Sequence, residues 1–291
     1  MSEPAPARRD VRVLGRALAP EELFVIAGPC VIEGAEMALE IAAEVKRAAE
    51  RTGVRFLFKA SYRKDNRSAV ESFTGIGDDA GLAALRRVRD ELGVPVLTDV
   101  HAVDEVATAA ESCAVLQVPA FLSRQTRLLQ AAARSGRTVN VKKGQFLAPD
   151  DLPRVVEKVR AARPECELWL TERGASVGYH NLVVDMRVFP VLRALPGVAV
   201  IYDVTHSLQH PGVGGDRRFA RPLARAAIAA GADGLFLETH PDPARALSDA
   251  TTQLPLAEVG AFLEEMVEWK RLQARFVDAG AGAAGDDGGA S

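Results

Sequence analysis

Aromatic residues are scarce, 5% of the 291-residue chain, and cysteine is scarcer, with three, at positions 30, 113 and 166. Thiols so scattered build no disulfide framework and fit a reducing compartment. No apolar run approaches the roughly 20 residues of a membrane span, and the N-terminal MSEPAPARRD lacks the apolar centre of a secretory signal. A cytoplasmic location without membrane contact is therefore expected. Net charge is only −3 and the pI near 6.0, so no global basic surface argues for nucleic acid. No Gly-x-Gly-x-x-Gly turn follows the first apolar run, which weakens a dinucleotide-binding reading. What is present is 48% hydrophobic and 26% charged residues, enough for a sizeable core without covalent staples.

Two segments stand apart. Residues 1–20 are rich in Pro, Ala and Arg and read as an entry arm, with a short strand at Val11–Leu14. Residues 278–291, DAGAGAAGDDGGAS, have almost nothing to bury and read as a disordered tail. No linker interrupts residues 21–277, so one domain is expected there. Its texture alternates. Apolar runs at 23–28, 55–60, 95–100, 114–119, 138–143, 167–172, 198–204 and 234–239 read as buried parallel strands. Between them lie segments of helical period, roughly 36–52, 79–92, 102–112, 124–135, 150–162, 180–194, 217–231 and 256–275. Eight strand–helix units predict an α/β protein, a single (β/α)8 TIM barrel rather than an open sheet.

Barrel chemistry sits at the C-terminal ends of the strands, and nearly every run here ends on ionisable groups. Lys59, Ser61, Lys64, Asn66, Arg67 and Ser68 follow the second run, Asp99 and His101 the third, Gln117 and Arg124 the fourth. Lys142 and Lys143 end the fifth, Glu172 and Arg173 the sixth, Asp203 and His206 the seventh, Glu238 and His240 the eighth. So many cations in a chain of net negative charge need anionic partners. Phosphate and carboxylate ligands suit them, although individual members can instead pair with Asp or Glu at the rim. The ends of strands 7, 8 and 1 are neighbours in a closed barrel. Cys30, His206, Glu238 and Asp249 can converge there as a mixed soft and hard divalent-metal site. On spacing alone the four serve equally as ordinary structural residues, Cys30 as a small buried apolar group.

Longer strings carry a resemblance. IAGPCVIE (26–33), FKASYRKDNRSAVESFTGIG (58–77), LTDVH (97–101), LQVPAFLSRQT (116–126) and VNVKKGQFLAP (139–149) are similar to the 3-deoxy-D-manno-octulosonate 8-phosphate (KDO8P) synthase family. So are LTERGASVGYHNLVVDMR (170–187), YDVTHSLQHPG (202–212) and FLETHPDPARALSDATTQLPL (236–256), so that the resemblance covers roughly residues 22–270. It implies a TIM barrel, usually a homotetramer, that condenses phosphoenolpyruvate, arabinose 5-phosphate and water for lipopolysaccharide synthesis. Family members with Cys in the motif after strand 1 require a metal, and this chain has Cys30. The implied metal ligands are Cys30, His206, Glu238 and Asp249, with Fe2+, Mn2+, Zn2+ or Co2+ as the ion.

The resemblance also implies roles for the cations. Lys64, one or both of Lys142 and Lys143, and Arg173 match positions that hold phosphoenolpyruvate. Lys59 lies beside them, and Gln117 and Ala120 border the site. Asn66, Arg67 and Ser68 match positions that receive the aldose and its phosphate, and Arg124 matches an arginine that reaches a neighbouring subunit's site. Ser61 and Asp99 join the substrate-binding set, and Lys64, Asn66, His206 and Cys30 are the residues expected to act in catalysis. His101 and His240 are expected to support the site from behind, and His180 to lie on the surface. The stretch between His206 and Glu238 is shorter than the family pattern leads one to expect, which puts its lid function in doubt. Two alternatives compete. One is the 3-deoxy-D-arabino-heptulosonate 7-phosphate synthase reaction with erythrose 4-phosphate, disfavoured by KASYRKDNRS where that family has a KPRTS-type string. The other is a catalytically silent sugar-phosphate-binding relative. A sialic-acid synthase relative is disfavoured by the lack of an added antifreeze-like domain.

Overall fold

The computed structural model describes residues 10–66 and 69–282. Among these, eight parallel strands form the barrel: β1 (Phe24–Gly28), β2 (Arg55–Lys59), β3 (Val96–Asp99), β4 (Val115–Val118), β5 (Thr138–Lys142), β6 (Leu168–Glu172), β7 (Val198–Asp203) and β8 (Gly234–His240). Each pairs with the next. β8 pairs with β1 through Glu238↔Gly28 and with β7 through Asp203↔Phe236, so the sheet closes on itself. Eight helices alternate with them: α1 (Ala35–Thr52), α2 (Asp78–Leu92), α3 (Glu105–Ser112), α4 (Thr126–Arg134), α5 (Leu152–Ala162), α6 (Val188–Arg193), α7 (Ala220–Ala229) and α8 (Val259–Gly282). The predicted single (β/α)8 barrel is the observed architecture. None of the described helices is long and apolar enough to cross a membrane.

Strand periodicity explains where the polar residues go. Alternate side chains of a barrel strand point inward. Phe24, Ile26, Leu57, Leu97, Val115, Trp169, Ala199, Ile201 and Phe236 pack together inside the barrel, Phe24 against Trp169 at 5.3 Å between ring centroids. Two residues further along each strand stand Lys59, Asp99, Gln117, Asp203 and Glu238, all buried. The apolar floor and the polar layer above it are thus one parity, read first as core and then as site. The opposite parity packs outward onto the helices in a second cluster.

The N-terminal arm closes the bottom. Arg12–Val13 pairs antiparallel with Arg16–Ala17, and the turn places Leu14 and Gly15 at φ 52° and 76°. Positive φ at both central residues matches the twist of a tight hairpin. Val11 and Val13 join the interior cluster, and the Leu14 and Gly15 amides each donate to Glu167 at 2.7 Å. The expected single strand at Val11–Leu14 is therefore half of a plug.

Several helix boundaries differ from the expected ones. The segment 180–194 is helical only from Val188; Ala175–Ser176 and Leu182–Val183 form a small antiparallel ladder instead. Gly178 (φ 69°) and His180 (φ 54°) take left-handed conformations that continue no right-handed helix. α3 begins at Glu105, and α7 begins at Ala220 after a single 3-10 turn at Arg217–Phe219. The short stretch after His206 folds into a hairpin of Gln209–His210 with Gly214–Gly215. α8 runs to Gly282, into the segment expected to be a tail; the remainder, 283–291, lies outside the described residues.

Candidate active site

The C-terminal mouth holds a cavity of about 720 Å³ lined by residues from almost every strand end. Lys59, Lys64, Asn66, Asp99, Gln117, Ala120, Lys142, Arg173, His206 and Asp249 all face it. Of the remaining expected site residues, Cys30, Ser61, Lys143 and Glu238 are buried around it. Arg67 and Ser68 lie outside the described residues.

One side of the mouth is built from β1, β8 and the loops after β7 and β8. Gly28 makes this possible. A Cβ there would stand 2.0 Å from the Lys59 carbonyl oxygen, so only glycine lets β1 pass β2 closely enough to deliver Cys30. Cys30 Sγ lies 3.1 Å from Asp249 Oδ2 and 3.1 Å from Ser248 Oγ. Cys30, Glu238 and Asp249 offer ligand atoms within 4.8 Å of one another. His206 Nε2 lies 3.7 Å from Glu238 Oε1 and 3.6 Å from Asp249 Oδ2. The four residues named from the sequence do converge. Burial raises the Cys30 thiol well above its ordinary pKa, and the carboxylates of Asp249 and Glu238 add to the effect.

Asp203 orients the histidine. Its carboxylate lies 2.9 Å from His206 Nδ1 and accepts from the His206 amide at 2.9 Å. Nδ1 also lies 3.2 Å from Lys142 Nζ, and the ring so held turns Nε2 towards Glu238 and Asp249. Asp203 also accepts from Lys142 Nζ at 2.6 Å. Burial opposes its charge, but His206 and Lys142 outweigh burial and hold the carboxyl well below the usual range. Asp203 carried no assigned role in the sequence reading. The signal was available, since Asp203 shares the inward parity of Ile201 and precedes His206 by one helical turn.

The cations are less free than their number suggested. Lys59 Nζ is 2.9 Å from Glu238 Oε1 and donates to the Cys30 carbonyl at 2.9 Å. Lys142 pairs with Asp203 and lies 3.5 Å from the centre of the Phe236 ring. Burial pulls the Lys142 ammonium below its usual pKa, against the attraction of Asp203. Lys143 has the opposite parity and turns away, 3.4 Å from Glu172 Oε2 and donating to the Leu147 carbonyl at 3.2 Å. Of the lysine pair, Lys142 is therefore the one that faces the cavity. Burial also works against the charge of Lys64. Cys30, Glu238, Asp99 and Asp249 together overcome it and raise its pKa well above the ordinary lysine value.

Among the described residues, Arg173 is anchored by neutral acceptors, the His206 carbonyl at 3.0 Å and Gln209 Oε1 at 2.6 Å. Burial lowers its pKa despite the nearby carboxylates of Asp203, Asp249, Glu172 and Glu238. The same Gln209 donates to Asp249 Oδ1 at 2.8 Å, linking the cationic side to the Cys30 side; no sequence signal had singled it out. Gln117 accepts from Asn140, which accepts from Thr171, in a buried polar chain behind the mouth. Ser61 sits fully buried at the end of β2, its amide donating to the Cys30 carbonyl at 3.3 Å. Asp99 accepts from His101 at 3.0 Å, and His101 itself lines the cavity instead of standing behind it as expected; His240, whose Nε2 lies 3.7 Å from Glu33, stands outside the lining. His180 is exposed. Arg124 is exposed and does not line this cavity.

Residues 19–274 match the family model described as the DAHP synthetase I family. Proteins named 2-dehydro-3-deoxyphosphooctonate aldolase are similar over most of their length. The one from Verminephrobacter eiseniae is 51% identical over 257 residues, 85% of this chain and 90% of its own. That from Syntrophobacter fumaroxidans is 49% identical over 268 residues, covering 90% and 92%. That from Rhodopseudomonas palustris is 48% identical over 284 residues, covering 95% and 97%.

Proposed function

The chain belongs to the DAHP synthetase I family, and on that premise we propose that it is a KDO8P synthase. It joins phosphoenolpyruvate, D-arabinose 5-phosphate and water to give the eight-carbon acid sugar phosphate and inorganic phosphate, a step towards lipopolysaccharide. The observation that carries this reading is that Lys64, Arg173 and the Cys30–Glu238–Asp249 group meet around one barrel-mouth cavity. The choice of aldose is supported by the relatives named above, about half identical to this chain.

Arg173 and Lys64 hold the carboxylate and phosphate of phosphoenolpyruvate, with Lys142 behind them. This fixes its C3 against the aldehyde carbon, and such positioning supplies several kcal/mol of a barrier. The new bond forms from C3 to the aldehyde carbon and leaves positive character at C2. The aldehyde oxygen takes up a proton to become a hydroxyl, water adds to C2 with loss of a proton, and the resulting tetrahedral hemiketal phosphate expels inorganic phosphate by C–O cleavage to leave a ketone at C2. Lys59 holds Glu238 ionised and Asp203 holds His206 in one orientation. Asn66 faces the cavity and receives the aldose, together with Arg67 and Ser68.

The donor set also fits a divalent metal. One thiol, one imidazole nitrogen and two carboxylates suit Fe2+, Mn2+, Zn2+ or Co2+, and two carboxylates disfavour a purely structural zinc. Among the described residues, the buried Glu238 Oε2 has no hydrogen-bond partner, and coordination would satisfy it. Cys30, His206, Glu238 and Asp249 would hold the ion, which would supply Lewis-acid polarisation of a carbonyl oxygen or of water and would favour the thiolate that burial opposes.

A homotetramer belongs to the same reading, with Arg124 serving a neighbouring subunit's site; its exposure away from its own cavity supports this. So does a cytoplasmic location, where Cys30 stays a free thiol. The family description favours erythrose 4-phosphate as a second reading. Phosphate release from phosphoenolpyruvate with each aldose separates the two. Turnover with arabinose 5-phosphate is expected, and turnover with erythrose 4-phosphate alone would replace this assignment with the second.

A further inference from the structure

Glu105, the first residue of α3, lies outside the cavity lining and outside every role assigned so far. It is nevertheless a junction. Its Oε2 accepts from the Tyr62 hydroxyl at 2.8 Å and from the His101 amide at 2.9 Å. Its Oε1 accepts from Arg63 Nη2. His101 Nδ1 stands 3.4 Å away, and His101 Nε2 reaches Asp99 at 3.0 Å. One carboxylate, 11% exposed, thus ties the loop after β3 to the root of the segment after β2.

That segment carries Lys64 and Asn66 into the cavity, and the two are not held equally. Lys64 lines the cavity, and its amide donates to the Thr74 carbonyl at 2.8 Å, which ties it to the far end of the segment. Asn66 is exposed and has no comparable tether among the described contacts. Its place depends on the root at Tyr62 and Arg63. Tyr62 is buried in the core, 3% exposed. Arg63 bridges outward to Asp78 at 2.7 Å and Asp65 at 3.6 Å. Burial works against the Glu105 charge, but the His101 amide, Tyr62, His101 and Arg63 outweigh it and keep the carboxyl below its ordinary pKa.

We propose that Glu105 is a positioning residue for the aldose: it clamps the Tyr62–Arg63 root against β3 and so fixes where Asn66 meets the sugar. The proposal rests on the reading that the site takes phosphoenolpyruvate and an aldose phosphate. Glu105 offers acceptors on both oxygens, whereas a glutamine presents an N–H donor on one of them. Glu105→Gln therefore sets donor against donor at Arg63 or at Tyr62 and His101, with little change of shape.

The test is steady-state kinetics on the wild type, Glu105→Gln and Tyr62→Phe, with each substrate varied in turn. Loss of a charge-assisted bond predicts a KM for arabinose 5-phosphate raised about tenfold in Glu105→Gln. The KM for phosphoenolpyruvate should stay within about twofold, because Lys64 keeps its separate tether. Tyr62→Phe, which loses one neutral hydrogen bond, should move the aldose KM in the same direction by about threefold. An aldose KM within about twofold of wild type in Glu105→Gln, or equal rises in both KM values, overturns the proposal. Should Glu105→Gln fail to fold, Tyr62→Phe decides by the same split. If the wild type does not turn over arabinose 5-phosphate, the substrate reading has failed, and amide hydrogen exchange of the unliganded protein decides about Glu105 instead. Faster exchange in the variant at the Tyr62 amide, which donates to Thr98 Oγ1 at 3.3 Å, upholds the clamp, and unchanged exchange removes it.

Discussion

Replacing Asp203 with asparagine tests the electrostatics of the mouth most sharply. Asp203 is fully buried and serves Lys142 Nζ at 2.6 Å, His206 Nδ1 at 2.9 Å and the His206 amide at 2.9 Å. The amide keeps the shape and removes the charge, leaving the Lys142 ammonium buried beside Lys59 with its main counter-charge gone. Breaking one partner from a buried pair costs about 3–5 kcal/mol, so melting at pH 7 should fall by on the order of 10 °C. The pH dependence gives the sign. Asp203 has a folded-state pKa depressed below the usual carboxylate value, so its contribution is complete above about pH 4, its unfolded value. That contribution drains away as pH falls towards the lower folded value. The gap between wild type and Asp203→Asn should therefore narrow as pH drops below about 4. Thermal unfolding of both proteins across that range is the assay. A gap under about 2 °C at pH 7, or one that does not narrow in acid, refutes the reasoning.

Arg173→Lys should raise the KM for phosphoenolpyruvate about tenfold or more while sparing the aldose KM, because an ammonium cannot hold Gln209 and a carboxylate in one planar fork; steady-state kinetics checks it. Val13→Ala, at the opposite end of the barrel, should cost roughly 1–3 kcal/mol by denaturant titration. Both KM values and kcat should match wild type, since the hairpin plug is remote from the cavity.

Much of this was legible in the chain because barrel strands are apolar on both faces until their last residues. LFVIAG and GLFLET end in a change of chemistry, and that change marks the mouth. Parity in TVNVKK selects Lys142 over Lys143 only once Asn140 is known to point inward, which the sequence alone does not show. Cation pairing was not legible. Lys59 meets Glu238 from two strands away around the barrel, and no local spacing reports a distance of that kind. The ladder at Ala175–Val183 hid behind the apolar pattern of LVVDMRVF, which has helical period but starts only after a left-handed turn at Gly178 and His180. Glu105 left a faint trace, four residues after His101 at a helix start. Its partners Tyr62 and Arg63 belong to another strand's loop, so only the folded chain brings them together.

Phosphate release from phosphoenolpyruvate in the presence of arabinose 5-phosphate, on protein first verified metal-free and then given a divalent ion, tests the central claim directly. The account predicts no release until Fe2+, Mn2+, Zn2+ or Co2+ is restored. Full activity of the verified metal-free protein would contradict it, and so would restored protein that turns over erythrose 4-phosphate but not arabinose 5-phosphate.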